Sequence, residues 1–200
     1  MRLHQMQMSG NCYKIRLAAH QLGQPLELFD VDVMAGETRQ PAFLTKNPNG
    51  RVPLLELDDG RLLPESNAIL FFLADGTHLL PSDRFARAQV LQWMFFEQYS
   101  HEPYVAVARF WWSFKSGGRE EKRAQFPEWH EKGYAALNVM DEHLRRQNFM
   151  TGTYSIADIA LYAYTHVASE GGFEITRYSA ICDWMERVKS EPHHTPIAAR

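Results

Sequence analysis

The stretch from position 47 to position 69 leaves this chain few ways to fold. In Asn47-Pro48-Asn49-Gly50-Arg51-Val52-Pro53-Leu54-Leu55-Glu56-Leu57, Pro48 and Asn49-Gly50 interrupt any regular element, and Val52 opens a short apolar run. Asp59-Gly60 favours a two-residue type I′ hairpin turn, because both residue types tolerate positive φ. Leu62-Leu63 returns and Pro64 stops it. Ser66 then stands at a helix N-cap position, ahead of Ala68-Ile69-Leu70-Phe71-Phe72-Leu73. The spacing reads as a hairpin followed by a helix.

Pro53 is the odd member of that run. It has no N–H, so a β-ladder accepts it only at an edge or a strand start. Placed just after a turn, it is a candidate for a cis Val52–Pro53 bond, which would turn the Val52 N–H and C=O outward for a ligand strand. The helix start at Ser66 offers unpaired N–H groups and the positive end of a dipole to an anion. A backbone edge beside an anion cradle suits a short acidic peptide. An ordinary hairpin packed on a helix is the plainer reading of the same spacing.

Around this stretch the first 78 residues read β-α-β-α-β-β-α. Residues 2–7 make a strand, Ser9-Gly10-Asn11 a turn, and Ile15, Ala18, Ala19 and Leu22 recur at helical spacing until Gly23 and Pro25. Leu26, Leu28, Val31 and Val33 predict a buried strand. Residues 34–40 form a polar loop, and Pro41-Ala42-Phe43-Leu44 a short helix with Pro in its first turn.

Strands then cease. Residues 79–85 are a linker, and 86–200 read as helices. Ser82 caps a long helix running towards Trp112 and kinked at Pro103. Residues 119–123 are an exposed loop. A second long helix spans 128–146. Ser155 and Asp158 form a capping box before a helix apolar nearly all round, which is therefore central. A last helix covers 178–189.

Composition removes several function classes. Of 200 residues, 45% are hydrophobic and 12% aromatic, enough for a real core. A net charge of −3 with mixed signs leaves no basic stripe for nucleic acid. No apolar run approaches the ~20 residues of a membrane span, and the start is no signal peptide. Cys12 and Cys182 form neither a disulfide framework nor a zinc or Cys-x-x-Cys spacing, which fits a reducing cytoplasm. His101-Glu102 lacks the second histidine of HExxH, and His193-His194 has no acidic or cysteine neighbour, so no metal is expected.

Four features taken together resemble the soluble, cytosolic glutathione transferases over nearly the whole length, in a bacterial, serine-type form. They are Ser9-Gly10-Asn11-Cys12-Tyr13-Lys14, Asn47 through Pro53, Pro64-Glu65-Ser66-Asn67-Ala68-Ile69, and Ser155-Ile156-Ala157-Asp158. The resemblance implies a fold that is α/β plus all-α: a thioredoxin-like N-terminal domain (βαβαββα) and an all-helical C-terminal domain. It also implies a homodimer, a site between the domains, and glutathione as cosubstrate with no other cofactor. By resemblance, Val52 pairs with the cysteinyl backbone beside cis-Pro53. Glu65 accepts from the γ-glutamyl ammonium, Ser66 holds the γ-glutamyl carboxylate, and Arg51, Lys14 or Arg39 neutralises the glycyl carboxylate.

The chemistry such a site must perform is to ionise a thiol of pKa ~8.5. Lowering it by about two units takes about 2.7 kcal/mol, within reach of one or two charge-assisted hydrogen bonds and a helix dipole. Ser9 stands where serine-type members place the hydroxyl donor, and Asn11 is the second candidate. Either residue also serves as a plain helix cap. Cys12 takes the usually buried second place of a Cys-x-x-Cys and reads as core. Phe96, Tyr99, His101, Tyr104, Arg109, Phe110 and Trp111 gather near Pro103, and Tyr104 is the choice for the pocket of a small hydrophobic electrophile. The implied activity is transfer of glutathione to that electrophile. The alternatives are glutathione-dependent disulfide or hydroperoxide reduction on the same site, and a non-catalytic interaction module.

Overall fold

The computed structural model describes residues 1–200 and divides them into two compact units. The first is Met1–Leu80 together with Pro192–Arg200, and the second is Pro81–Glu191. The last nine residues thus group with the α/β unit and not with the helices that precede them.

The first unit runs β1 (Arg2–Gln5), α1 (Gly10–Gln21), β2 (Glu27–Asp30), α2 (Pro41–Leu44), β3 (Leu54–Glu56), β4 (Leu62–Pro64) and α3 (Ser66–Ala74). The predicted βαβαββα order holds. The sheet order is β2-β1-β3-β4, with β1 parallel to β2 and antiparallel to β3. β1 is central, and Leu3 pairs with Leu55 while His4 pairs with Leu54. Period-two alternation sends Leu3 and Leu55 to one face and His4 and Leu54 to the other, where Phe43 of α2 packs with Val31, Leu54 and Val52. Complete burial of Leu3, Ile15, Leu17, Leu54, Leu55, Ile69 and Leu70 holds the unit together, each contributing about 1.5–3 kcal/mol of transfer free energy.

Three local expectations change. β2 is the exposed edge of the sheet and not a buried strand: Phe29 is 45% exposed and only Val31, just beyond the strand, is buried. Its β-branched look comes from residues at and past its end. The hairpin uses a three-residue loop instead of a type I′ turn, with Leu57 N–H bonded to Arg61 C=O and positive φ at Gly60 alone. Asp59 keeps a negative φ, the arrangement of a type I turn closed by a left-handed glycine. Ser66 is the first helical residue of α3, and Glu65 takes the cap position.

The second unit holds α4 (Arg84–Phe96), α5 (Glu102–Arg109), α6 (Gly118–Glu121), α7 (Phe126–Leu144), α8 (Ile156–Thr165) and α9 (Ser179–Lys189). The long helix expected from 82 to 112 is continuous from Arg84 to Phe114, with α4 and α5 each followed without a break by a π-helical turn, Glu97–His101 just before Pro103 and Phe110–Phe114. Pro103 sits in the first turn of α5, directly after the first π turn, and the wider π turn accommodates the helical hydrogen bond that its missing N–H cannot make. Asp83, not Ser82, caps α4 by accepting from Ala86 N–H at 2.8 Å. The stretch read as a loop at 119–123 contains α6. All ten residues of α8 are buried, as its all-round apolar pattern requires. No helix is long and apolar enough to cross a membrane.

Candidate functional site

The β1–α1 turn carries the first group of candidates. Ser9 N–H bonds Met6 C=O at 3.0 Å, and Ser9 Oγ accepts from Cys12 N–H at 3.3 Å, which makes Ser9 the N-cap of α1. A hydroxyl that accepts one N–H still has its own O–H to donate, so capping and thiol activation are compatible. Cys12 is fully buried and accepts from Met6 N–H at 3.4 Å. Burial pushes its thiol up, against smaller opposing contacts from Met6 and Ser9, as befits a core residue.

The second group lies on the segment that reaches α3. The Val52–Pro53 bond is cis. Neither the N–H nor the C=O of Val52 bonds another part of the chain, although Leu54 two residues on is already in the ladder. Asn47, buried and not singled out by its sequence, shapes the approach. Its Nδ2 donates to Arg51 C=O at 2.8 Å and its Oδ1 accepts from Asn49 N–H at 3.1 Å. The Asn-Pro-Asn-Gly string was a signal for such a side-chain turn. Gly50 is required here. Its φ is +61°, and a Cβ would come within 2.6 Å of Arg39 Nη1 and 2.9 Å of Thr38 C=O.

At the start of α3 the backbone is strained and the N–H groups are uncapped. Glu65 adopts φ 72°, ψ 115°, and its exposed side chain makes no cap hydrogen bond. The first intrahelical bond is Ile69 N–H to Glu65 C=O, so the N–H groups of Ser66 and Ala68 have no helical acceptor. Ser66 Oγ donates to Asn11 Oδ1 at 3.0 Å and accepts from Lys14 Nζ at 3.3 Å; Lys14 also reaches Asn67 Oδ1 at 3.4 Å. This network ties the starts of α1 and α3 together and brings Asn11 to Ser66. It also corrects one candidate: Lys14 is fully buried on the inward side of α1 and is not a surface cation for a glycyl carboxylate. The one-turn spacing Asn11-x-x-Lys14 was the available hint. Arg39 and Arg51 are exposed, and Arg39 Nη1 donates to Asn49 C=O at 3.0 Å.

The aromatic candidates all belong to the second unit but do not share one role. His101 is buried with Nε2 3.0 Å from Thr165 Oγ1, and Arg109 is buried in an ion pair with Glu170 at 2.7 Å. Both serve the core. Tyr99 is 84% exposed, and half-buried Tyr104 lies under Lys132 Nζ at 5.3 Å from its ring centre. In the first unit, His194 is half-buried 3.3 Å from Tyr13 OH and is not a solvated tail residue.

The architecture is a four-stranded thioredoxin-like unit with an unpaired backbone edge at Val52, followed by an all-helical unit. The family models agree. Residues 3–76 match the glutathione S-transferase N-terminal domain and residues 92–192 the glutathione S-transferase C-terminal domain. The chain belongs to the glutathione S-transferase family. It is similar to the crystal structure of a glutathione S-transferase from Pseudomonas fluorescens Pf-5, 55% identical, covering 99% of this chain and 98% of that one at a TM-score of 0.96. It is 27% identical over 190 residues to the disulfide-bond oxidoreductase YfcG of Escherichia coli K12, covering 91% of this chain and 87% of that protein. It is also 32% identical over 168 residues to elongation factor 1-gamma of Artemia salina, over 79% of this chain but only 37% of that much longer protein.

Proposed function

We propose that the chain is a glutathione transferase that binds glutathione on its first unit and adds the thiolate to a small hydrophobic electrophile. The observation that carries this reading is the unpaired Val52 backbone next to the uncapped start of α3, because a short acidic peptide needs both at once. In this reading Val52 pairs with the cysteinyl residue and Pro53 holds that edge. The Ser66 hydroxyl and N–H take the γ-glutamyl carboxylate, Glu65 takes the ammonium, and Arg51 or Arg39 faces the glycyl carboxylate.

The Ser9 hydroxyl donates to the glutathione sulfur, with the dipole of α1 behind it, so the proton leaves to solvent and the anion persists. The thiolate then forms a C–S bond with the electrophile and displaces its leaving group or adds across its double bond. Asn11 acts beside Ser9 at the same turn. Tyr104 belongs to the electrophile side, and two copies of the chain form a homodimer. The test is calorimetric titration with glutathione, followed by the thiolate absorbance of the complex against pH. Saturable binding with a lowered thiol pKa supports the reading, and absence of binding overturns it in favour of an interaction module.

The similarity to YfcG favours a second reading on the same site: one glutathione attacks sulfur in place of carbon and releases the first thiol of a disulfide, and a second glutathione attacks the mixed disulfide, releasing the other thiol and oxidised glutathione. Product analysis separates the two. Oxidised glutathione marks reduction and a thioether conjugate marks transfer.

A further inference from the structure

The segment after Pro192 makes a regular pattern of contacts that neither the domain order nor the peptide site requires. It runs antiparallel to α1, from the end of that helix back to the β1–α1 turn. Its odd-numbered carbonyls, from His193 to Ala199, all meet side chains of α1 or of the β1–α1 turn. His193 C=O meets His20 Nδ1 at 2.7 Å, and Thr195 C=O accepts from Tyr13 OH at 2.7 Å. Ile197 C=O accepts from Arg16 Nη2 at 2.7 Å and Gln7 Nε2 at 3.0 Å, and Ala199 C=O accepts from Gln7 Nε2 at 2.8 Å. Arg200 closes the run on Asp30 at 2.7 Å. Residues 194–196 are extended, and a turn closed by Ala199 N–H on Pro196 C=O at 3.0 Å then carries the Ile197 and Ala199 carbonyls to Gln7, with the Ile197 side chain buried beneath it.

Two residues of the first unit join this strap to the turn. Gln7 lies inside the turn closed by Ser9 N–H and Met6 C=O, two positions before Ser9. Its carboxamide nitrogen bonds two strap carbonyls, its carboxamide oxygen accepts from Gln5 Nε2 at 3.1 Å, and its backbone C=O accepts from Arg16 Nη2 at 2.8 Å. Arg16 is buried and bridges Gln5 Oε1, the Gln7 backbone and the Ile197 backbone. A guanidinium with a fixed fork geometry suits this three-way joint. The turn is therefore held from outside by a strap and from beneath by one cation.

We propose that residues 193–200 are a clasp that sets the β1–α1 turn, with Gln7 and Arg16 as positioning residues for the Ser9 hydroxyl. The proposal rests on the reading of Ser9 as the thiol donor. A hydroxyl aimed at a sulfur tolerates little displacement before its hydrogen bond weakens, whereas the Val52 edge and the start of α3 make no contact with the clasp in this pattern. Releasing the clasp should therefore spoil thiol ionisation more than it spoils glutathione binding.

The experiment compares the full chain with a chain ending at Pro192 and with Gln7→Ala, which keeps the strap. Amide hydrogen exchange without ligand reads the clasp itself, and the pH titration of bound glutathione reads its consequence. In the truncated chain residues 6–13 should exchange faster. The bound thiol pKa should rise by about one unit, a tenfold change in ionisation, while glutathione affinity changes less than about twofold. A synthetic peptide of residues 193–200 should restore both, and Gln7→Ala should move both in the same direction by less. Unchanged exchange at residues 6–13 in both variants overturns the clasp, and faster exchange with an unchanged thiol pKa overturns its positioning role. If the full chain fails to bind glutathione, the proposed function falls, while the exchange measurement still decides whether the clasp exists.

Discussion

The starts of α8 and α3 solve the same problem in opposite ways. At α8 the capping box is complete: Ser155 Oγ accepts from Ala157 N–H, and Asp158 returns to the Ser155 N–H at 3.0 Å. Asp158 goes further, accepting from Met150 N–H and from Trp184 Nε1 at 2.9 Å each. At α3 the cap residue Glu65 makes no such bond, sits at positive φ, and leaves the N–H groups of Ser66 and Ala68 without helical partners. One helix start is sealed for stability and the other is open. An uncapped start is tolerable in a native fold where a ligand supplies the missing acceptors, and local rules tend to break at sites of function.

The sealed start is where the largest effect on folding should appear. Asp158→Ala removes the box and leaves the Met150 and Trp184 donors buried without acceptors. We expect a loss of about 4 kcal/mol in urea-induced unfolding, summed over the cap and the orphaned donors. A loss below about 1 kcal/mol would mean that the box is ornamental. Burial lifts the Asp158 carboxyl to about 6, outweighing the donors that pull it down. Its folded pKa thus lies above the unfolded value, so the stability it contributes is complete below about pH 4 and falls as pH rises through 6. The difference between wild type and Asp158→Ala should accordingly widen by about 2 kcal/mol between pH 7 and pH 4. A difference that stays flat over that range would show that the carboxylate is ionised throughout.

The open start should respond in binding more than in stability. Ser66→Ala deletes the hydroxyl that joins Asn11 to Lys14, and should weaken glutathione about tenfold in calorimetry while costing about 1 kcal/mol of folding. Unchanged affinity would remove Ser66 from the γ-glutamyl assignment. Ser9→Ala should leave affinity within about twofold and raise the bound thiol pKa by about one to two units, because it removes one hydrogen bond to the anion. A thiol pKa that does not move would shift the activating role to Asn11.

The contrast also explains what could be read in advance. Ser155-x-x-Asp158 is a self-contained box, so its four residues disclose both its presence and its geometry. The βαβαββα order, the cis Val52–Pro53 bond and the short helix at Pro41 were legible for the same reason, since turn residues and periodicity act locally. The start of α3 was half legible. Its N–H groups follow from the helix, but the shift of the cap from Ser66 to Glu65 depends on a positive φ that nothing in Pro64-Glu65-Ser66 demands. Lys14 beneath Ser66 was hinted at only by its one-turn spacing from Asn11, and residues 193–200 along α1 were not legible at all, because each joins positions 52 or more apart through side chains that look ordinary in isolation. The edge exposure of β2 likewise depends on strand order, which no single strand encodes.

The smallest predicted change is the sharpest test of the comparison. Glu65→Gly would relieve the positive-φ backbone, worth about 1–3 kcal/mol in a non-glycine residue, against about 0.5–1 kcal/mol of added chain entropy in the unfolded state. We expect a net gain of about 0.5–1 kcal/mol in urea unfolding together with weaker glutathione binding, since the carboxylate that accepts from the γ-glutamyl ammonium is gone. No comparable gain is available at Ser155, whose backbone is already relaxed at φ −154°, ψ 177°. A variant that is both more stable and a poorer binder would show that the strain at Glu65 is maintained for the ligand. A variant that loses stability would show that Glu65 supports α3 through contacts of its own, and the opposition between a sealed and an open helix start would then fail at the open one.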